Sequence, residues 1–373
     1  MSADVLSPRA LNRATLARQL LLQRADMSAL DAVEHLVGMQ AQIPDDPYLG
    51  LWSRLAGFAP RELAQLLLDR RVVRIVVMRA TIHLVSADDC LTLRPLMKPV
   101  LDGELRRHRD FGPALQGVDV EPVLAYVREL VAQAPRTGTQ LRAAIAERFP
   151  QHDAAALAYA CRNLLAFVQV PPRGVWGQTM QVTSTTAQAW LGRPLAADPS
   201  IDDVVLRYLA AFGPVTVADI ASWSRLTAMR AVVERIAPRL RVFRDERGRE
   251  LYDLPDAPRP DPETPAPVRF LPEYDNVLLS HADRTRFVSQ EHRGRLTATA
   301  ARQIKGTVLV DGVVRATWRP QRDGAQATLF VDHPGALGPR DADAVQAEGR
   351  RLLRLLQTGR AGASGEVRLV RLD

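Results

Sequence analysis

Along residues 201 to 254 the apolar positions change period in an ordered way. An amphipathic pattern runs over Ile201 to Phe212 and stops at Gly213-Pro214. Thr216, with Asp219 three residues later, marks the start of a short second helix. A third begins at Thr227, carries Met229, Val232, Val233 and Ile236 at helical spacing, and ends before Pro238. Two β-prone runs follow, LRVFR and ELYDL, joined by the Gly-containing turn DERGR. Three helices and a hairpin are the order of a winged helix.

Residues 120 to 182 repeat it. The pattern predicts a helix over Glu121 to Ala134, a second capped by Thr139, a third capped by Asp153, then FVQV and VWG about the turn PPRG. In the first hundred residues helices are expected at Pro8 to Leu22, with Ser7 as cap, at Ser28 to Met39, and between Tyr48 and Asp69. The runs VVRIVVM and TIHLVS then form a pair around Arg79-Ala80, which makes a third, embellished copy. The copies share order and little sequence, so they are related by pattern and not by a strict period. Six prolines between Pro255 and Pro267 exclude a helix or central strand and indicate a linker or edge-hugging loop. Beyond it, apolar segments at Phe270 to Leu271, Val308 to Val314, Ala327 to Val331 and Val367 to Leu372, with a helix over Ala342 to Leu356, predict a small barrel or sheet. The expected architecture is α+β: winged-helix units at 1–118, 119–198 and 199–256, and a linker with a β-rich element at 257–373.

Composition narrows the partners. In 373 residues, 49 basic and 42 acidic side chains give a net charge of +7, and 47% of residues are hydrophobic, enough for a sizeable core. Lysine occurs only at Lys98 and Lys305, so the basic side is nearly all arginine, whose planar fork suits phosphate. A polyanion is a fitting partner, although an arginine-rich proteome gives the same bias. Cys90 and Cys161 lack CxxC spacing, which argues against thiolate zinc and disulfides and points to reducing cytoplasm. No apolar run reaches the roughly 18 residues that span a bilayer.

The signatures of P-loop NTPases, HExxH proteases, GxSxG hydrolases and GxGxxG dehydrogenases are missing. The seven histidines, at 35, 83, 108, 152, 281, 292 and 333, show no ligand spacing, and no metal or cofactor is expected. One stretch stands out: MQAQIPDDP, Met39 to Pro47. Pro44 disfavours the α region for Ile43, so the preceding helix is expected to end near Gln40 to Gln42, where an extended exit puts both amides on one face. On pattern alone such a pair is solvated surface.

Resemblance reverses that. LSPRALNRATLARQLLLQR, VEHLVGMQAQIPDDPYLGLWSRL, MRATIHLVSADD and LPEYDNVLLSHADRTRFV, in order along essentially the whole chain, resemble the winged-helix DNA glycosylases of the AlkZ and YcaQ type. That family carries Gln-aliphatic-Gln in one branch and Gln-aliphatic-Asp in the other; Gln40-Ala41-Gln42 matches the first. The resemblance implies three tandem winged helices and a β-rich element in a C-shaped clamp around duplex DNA. It also implies excision of alkylated bases, N7-alkylguanine among them, with bulky adducts or interstrand crosslinks unhooked in some members. Gln40 and Gln42 are then the catalytic pair, with Gln42 positioning water and Gln40 orienting it or the sugar.

Around them, Arg79 and His83 face the DNA backbone or the lesion if the hairpin alternates, or else form a solvated face with a packed histidine. Arg106 and Arg107, with Arg109, and Arg284 and Arg286, with Arg293 and Arg295, are candidate phosphate contacts. Neither lysine adjoins a recognisable motif, which disfavours a Schiff-base lyase. The competing expectation is a winged-helix transcription regulator without catalysis. Three modules in one chain and the lack of a coiled coil for the dimerisation that palindromic operators demand speak against it. A monomer in the cytoplasm, associated with the nucleoid, is expected.

Overall fold

The computed structural model describes residues 4–288, 306–324, 326–335, 337–358 and 364–372. Among these residues, helix and strand mix in three sheets, so the protein is α+β as expected. The strands in chain order are β1 (Val5–Leu6), β2 (Met39–Gln40), β3 (Val72–Val76), β4 (Ile82–Ser86), β5 (Arg136–Thr137), β6 (Phe167–Gln169), β7 (Thr183–Thr186), β8 (Arg241–Asp245), β9 (Glu250–Asp253), β10 (Arg269–Leu271), β11 (Gly306–Val310), β12 (Val313–Asp323), β13 (Gln326–His333) and β14 (Ser364–Arg371).

The segment from Ile201 folds as its periodicity requires. Helices Ile201–Phe212, Val217–Ser224 and Met229–Ile236 precede the antiparallel pair β8–β9, and Thr216 with Asp219 forms the reciprocal capping box. The third helix starts after Ala228, held at φ 59°, so Thr227 is not its cap. In the preceding segment, helix Glu121–Gln133 and the Asp153-capped helix Ala154–Leu164 fall where expected. Helix Gly138–Arg148 is capped by Thr137 with Gln140 closing the box, in place of Thr139. The partner of β6 is Thr183–Thr186, because residues 175–177 form a turn instead of the expected strand.

The hairpins do not remain separate. One sheet has the order β2-β4-β3-β6-β7-β5, and the β3–β6 pairing of Ile75 with Val168 joins the first and second segments edge to edge. The first and third share apolar contacts: Val37, Val73 and Val85 lie in one core with Tyr208, Phe212 and Trp223. β1 runs parallel to β8, attaching the N-terminus to the third segment. The proline-rich stretch is a loop packed on the first helix, for its carbonyls at Pro258 and Thr264 accept from Arg18 Nε (3.2 Å) and Arg13 Nε (2.7 Å) of that helix. Beyond it, β10-β11-β12-β13-β14 form one sheet whose core includes Val345, Leu352 and Leu353 of helix Pro339–Leu356.

Candidate active site

The motif sits elsewhere than the proline suggested. Helix Ala29–His35, capped by Ser28, ends at Leu36, and Val37 (φ 54°) and Gly38 (φ 85°) turn the chain sharply through the left-handed region. A Cβ on Gly38 would lie 2.7 Å from Val85 Cγ1 and 3.1 Å from the Leu84 carbonyl, so only glycine lets the chain pass so close to β4. Met39 and Gln40 then form β2, antiparallel to β4, with Gln40 opposite His83. Gln40 is therefore a strand residue; the overlooked signal was Gly38, a helix-terminating glycine four residues before Gln42.

Backbone contacts hold the motif from both ends. Gln40 N–H donates to Asn276 Oδ1 (3.2 Å), and Asn276 Nδ2 donates to the Gly38 carbonyl (2.7 Å). Ala41 N–H donates to the Ile82 carbonyl (2.8 Å), while the Ala41 carbonyl accepts from Arg74 Nη2 (2.8 Å). Ala41 is in the core, Gln40 is 6% exposed, and Gln42 is exposed. The segment carrying Asn276 is itself anchored, for Arg54 clamps Asp275 with two 2.8 Å bonds and both side chains are buried.

The Gln40 side chain has a defined orientation. Arg79 Nη2 donates to Gln40 Oε1 at 2.7 Å and lies 3.1 Å from His83 Nε2. His83 Nδ1 is 3.0 Å from the Thr81 carbonyl, an acceptor only, which assigns the proton to Nδ1 and a lone pair to Nε2, facing Arg79. Burial, reinforced by the Arg79 charge, lowers the His83 pKa to about 3, so the ring is neutral at physiological pH. Burial lowers Arg79 to about 10, with Arg284 and Arg225 pushing the same way, and it stays a cation. Its Nη1 donates to the Trp223 carbonyl (3.2 Å), which links the site to the third segment. The alternating hairpin expected here is interrupted: Met78–Ala80 is a single 3-10 turn with Arg79 at φ 56°, and it is this turn that returns Arg79 onto His83.

The other arginines separate. Arg284 is exposed, and its charge acts on Arg79. Arg106 and Arg107 are exposed at the end of helix Lys98–Arg107, whose Glu104 pairs with Arg225 at 3.7 Å. Arg286 is buried, with Nη1 on Thr15 Oγ1 (3.0 Å) and the Pro214 carbonyl (3.2 Å), so it joins the first helix to the third segment. Arg293, Arg295, His292 and Lys305 lie outside the described residues. Among the described residues no cluster of three or more metal-ligating side chains forms, and no helix is long and apolar enough to cross a membrane. Sequence reasoning missed Arg74 and Asn276 as members of the site; Asn276 lies in the LPEYDN stretch, whose alternation of acids and amide breaks an otherwise apolar run.

The Gln40 amide thus rests on the half-buried Arg79 guanidinium, and exposed Gln42 follows two residues on. The sequence profile of the AlkZ-like DNA glycosylases matches residues 33–355. The fold is similar to that of the Streptomyces sahachiroi DNA glycosylase AlkZ, with a TM-score of 0.76 and 22% identity over 98% of this chain and 100% of that one. No curated protein sequence matches. The chain belongs to the AlkZ-like DNA glycosylase family, so it is an enzyme that acts on DNA, and the regulator alternative falls away.

Proposed function

We propose that this glycosylase removes alkylated purines, N7-alkylguanine first among them, from duplex DNA as a monofunctional, monomeric enzyme, and that bulky adducts or crosslinks of the same cationic class are within its reach. The observation that carries the reading is the Arg79–Gln40 contact. It turns Gln40 Oε1 toward Arg79 and so leaves Nε2 as the donor that Gln40 offers a substrate, while exposed Gln42 keeps both its carbonyl and its amide.

An N7-alkylated guanine carries a positive charge, so the C1′–N9 bond breaks with its electron pair returning to the base, and no strong general acid is needed. Water then bonds to C1′ of the oxocarbenium-like sugar and its proton leaves to solvent. Gln42 aligns that water through its side-chain carbonyl, and Gln40 donates to the water or a sugar oxygen. His83, neutral, serves as the acceptor that keeps Arg79 in place. Arg79, Arg106, Arg107 and Arg284 supply positive charge for phosphate, whereas Arg286 acts from inside the fold. The test is a set of duplexes bearing one N7-methylguanine, a nitrogen-mustard adduct or a crosslink, incubated with protein and treated with alkali. Cleavage at the adduct is expected without added metal or nucleotide, and no cleavage on any of them would refute the reading.

A further inference from the structure

Four residues beyond Gln42 lies a carboxyl that the reaction above does not use. Asp46 opens helix Asp46–Arg54, is 3% exposed, and leaves Oδ2 without a hydrogen-bond partner among the described residues. Its carboxyl receives the backbone N–H of Tyr274, two residues before Asn276, which receives the N–H of Gln40. One stretch of chain thus braces both the motif and Asp46. A buried polar atom left unpaired costs about 1–3 kcal/mol, which a folded protein retains where a ligand or a chemical task offsets it.

Other carboxyls crowd around Asp46. Asp45 adjoins on the same helix turn, Glu273 and Asp275 come from the segment at 271–276, and Arg74 reaches from β3. Arg54 clamps Asp275, and Arg74 donates to the Ala41 carbonyl and to Gln169 Oε1. Burial, then Glu273, Asp275 and Asp45, raises the Asp46 pKa to about 8. Glu273 is raised by burial too, as is Asp45 against the pull of Arg322, Arg74 and Arg173. Desolvated carboxyls crowded together favour the protonated form.

We propose that Asp46 is the charge-specificity determinant of this site: its carboxylate becomes the counter-ion of a positively charged base placed against Gln40 and Gln42, and its proton passes to solvent as that base binds. The O–H bond breaks, the electron pair stays on the carboxylate, and the buffer takes the proton. A neutral base brings no charge to exchange for that proton and leaves the carboxyl protonated. The inference rests on the alkylated-purine reading and assigns its preference for cationic bases to a particular residue.

The experiment is calorimetric titration of the full chain with a duplex bearing N7-methylguanine on a 2′-fluoroarabino sugar, which resists cleavage, in phosphate and in Tris at neutral pH. The difference between buffers counts protons released. Wild type should release more than Asp46→Asn, and the base's own N1–H titration, common to both, cancels. Between pH 6 and pH 8 the preference for lesion over undamaged duplex should grow about tenfold more in wild type than in Asp46→Asn, where only the base's own N1–H titrates. Should Asp46→Asn fail to fold, Glu273→Gln gives the second measurement, because removing a neighbouring carboxyl moves the midpoint of that rise to lower pH. Equal proton release in wild type and Asp46→Asn, or an unmoved midpoint in Glu273→Gln, overturns the proposal. Excision of the ordinary N7-methylguanine duplex by wild type separates the two failures: present with no Asp46 effect, only this inference fails; absent, the functional reading fails with it.

Discussion

Arg79 Nη2 and Gln40 Oε1 are 2.7 Å apart, one on a 3-10 turn and the other on the short strand β2, and this bond decides which end of the Gln40 amide faces outward. Arg79→Lys keeps the charge and loses the fork that reaches Gln40, His83 and the Trp223 carbonyl together. It is expected to fold, to bind undamaged duplex within a few-fold of wild type, and to lose about tenfold or more in single-turnover excision. An unchanged excision rate would mean that Gln40 needs no orientation.

Gly38→Ala tests the turn that creates β2. The residue sits at φ 85°, and a Cβ would meet Val85 Cγ1 at 2.7 Å. Strain and overlap together predict a loss of about 2–4 kcal/mol, read as a lower denaturation midpoint, with excision falling because Gln40 shifts relative to Arg79. Wild-type stability in Gly38→Ala would contradict the packing described.

Acid stability follows from two buried imidazoles. Burial lowers both His83 and His281 to about 3, while His281 Nε2 meets the Phe212 carbonyl at 3.1 Å. The unfolded chain takes up protons near pH 6.5 and the folded chain does not until about pH 3, so stability is full above about 6.5 and declines as pH falls through that window. His83→Gln should reduce the loss between pH 7.5 and pH 5 by about 2 kcal/mol, measured by denaturant unfolding at both values. An identical pH dependence in wild type and variant would show that His83 titrates normally.

Binding to undamaged duplex should be governed by phosphate contacts. Affinity is expected to fall steeply between about 50 and 200 mM salt, and Arg106→Ala with Arg107→Ala should flatten the slope by about one counterion for each phosphate no longer neutralised. A slope unaffected by both changes would place those exposed arginines away from the DNA.

Much of this molecule was legible in its sequence because local signals dominate helices. Ser7, Thr216 with Asp219, and Asp153 mark helix starts that the structure retains. Three of the misplacements share a cause: each depended on a left-handed residue or a distant partner. Gly38 ends its helix before the proline can, Ala228 delays another, and the second strand of the middle hairpin is Thr183–Thr186, far from its turn. At the site, Gln40, Arg79 and His83 could be named from the sequence, but the link between them needs β2 to lie beside β4. Arg74 and Asn276 reach the motif across 33 and 236 residues, through contacts that periodicity does not encode.

The central claim is that Gln40 and Gln42 act on a cationic purine, and single-turnover excision of N7-methylguanine from duplex DNA tests it most directly. Wild type, Gln40→Ala, Gln42→Ala and the double variant are compared at matched folding and matched affinity for undamaged duplex. The account predicts excision by wild type and a loss of about 10² to 10³ in rate for each single variant, with Gln42→Ala at least as impaired as Gln40→Ala. A double variant that excises at the wild-type rate would contradict it.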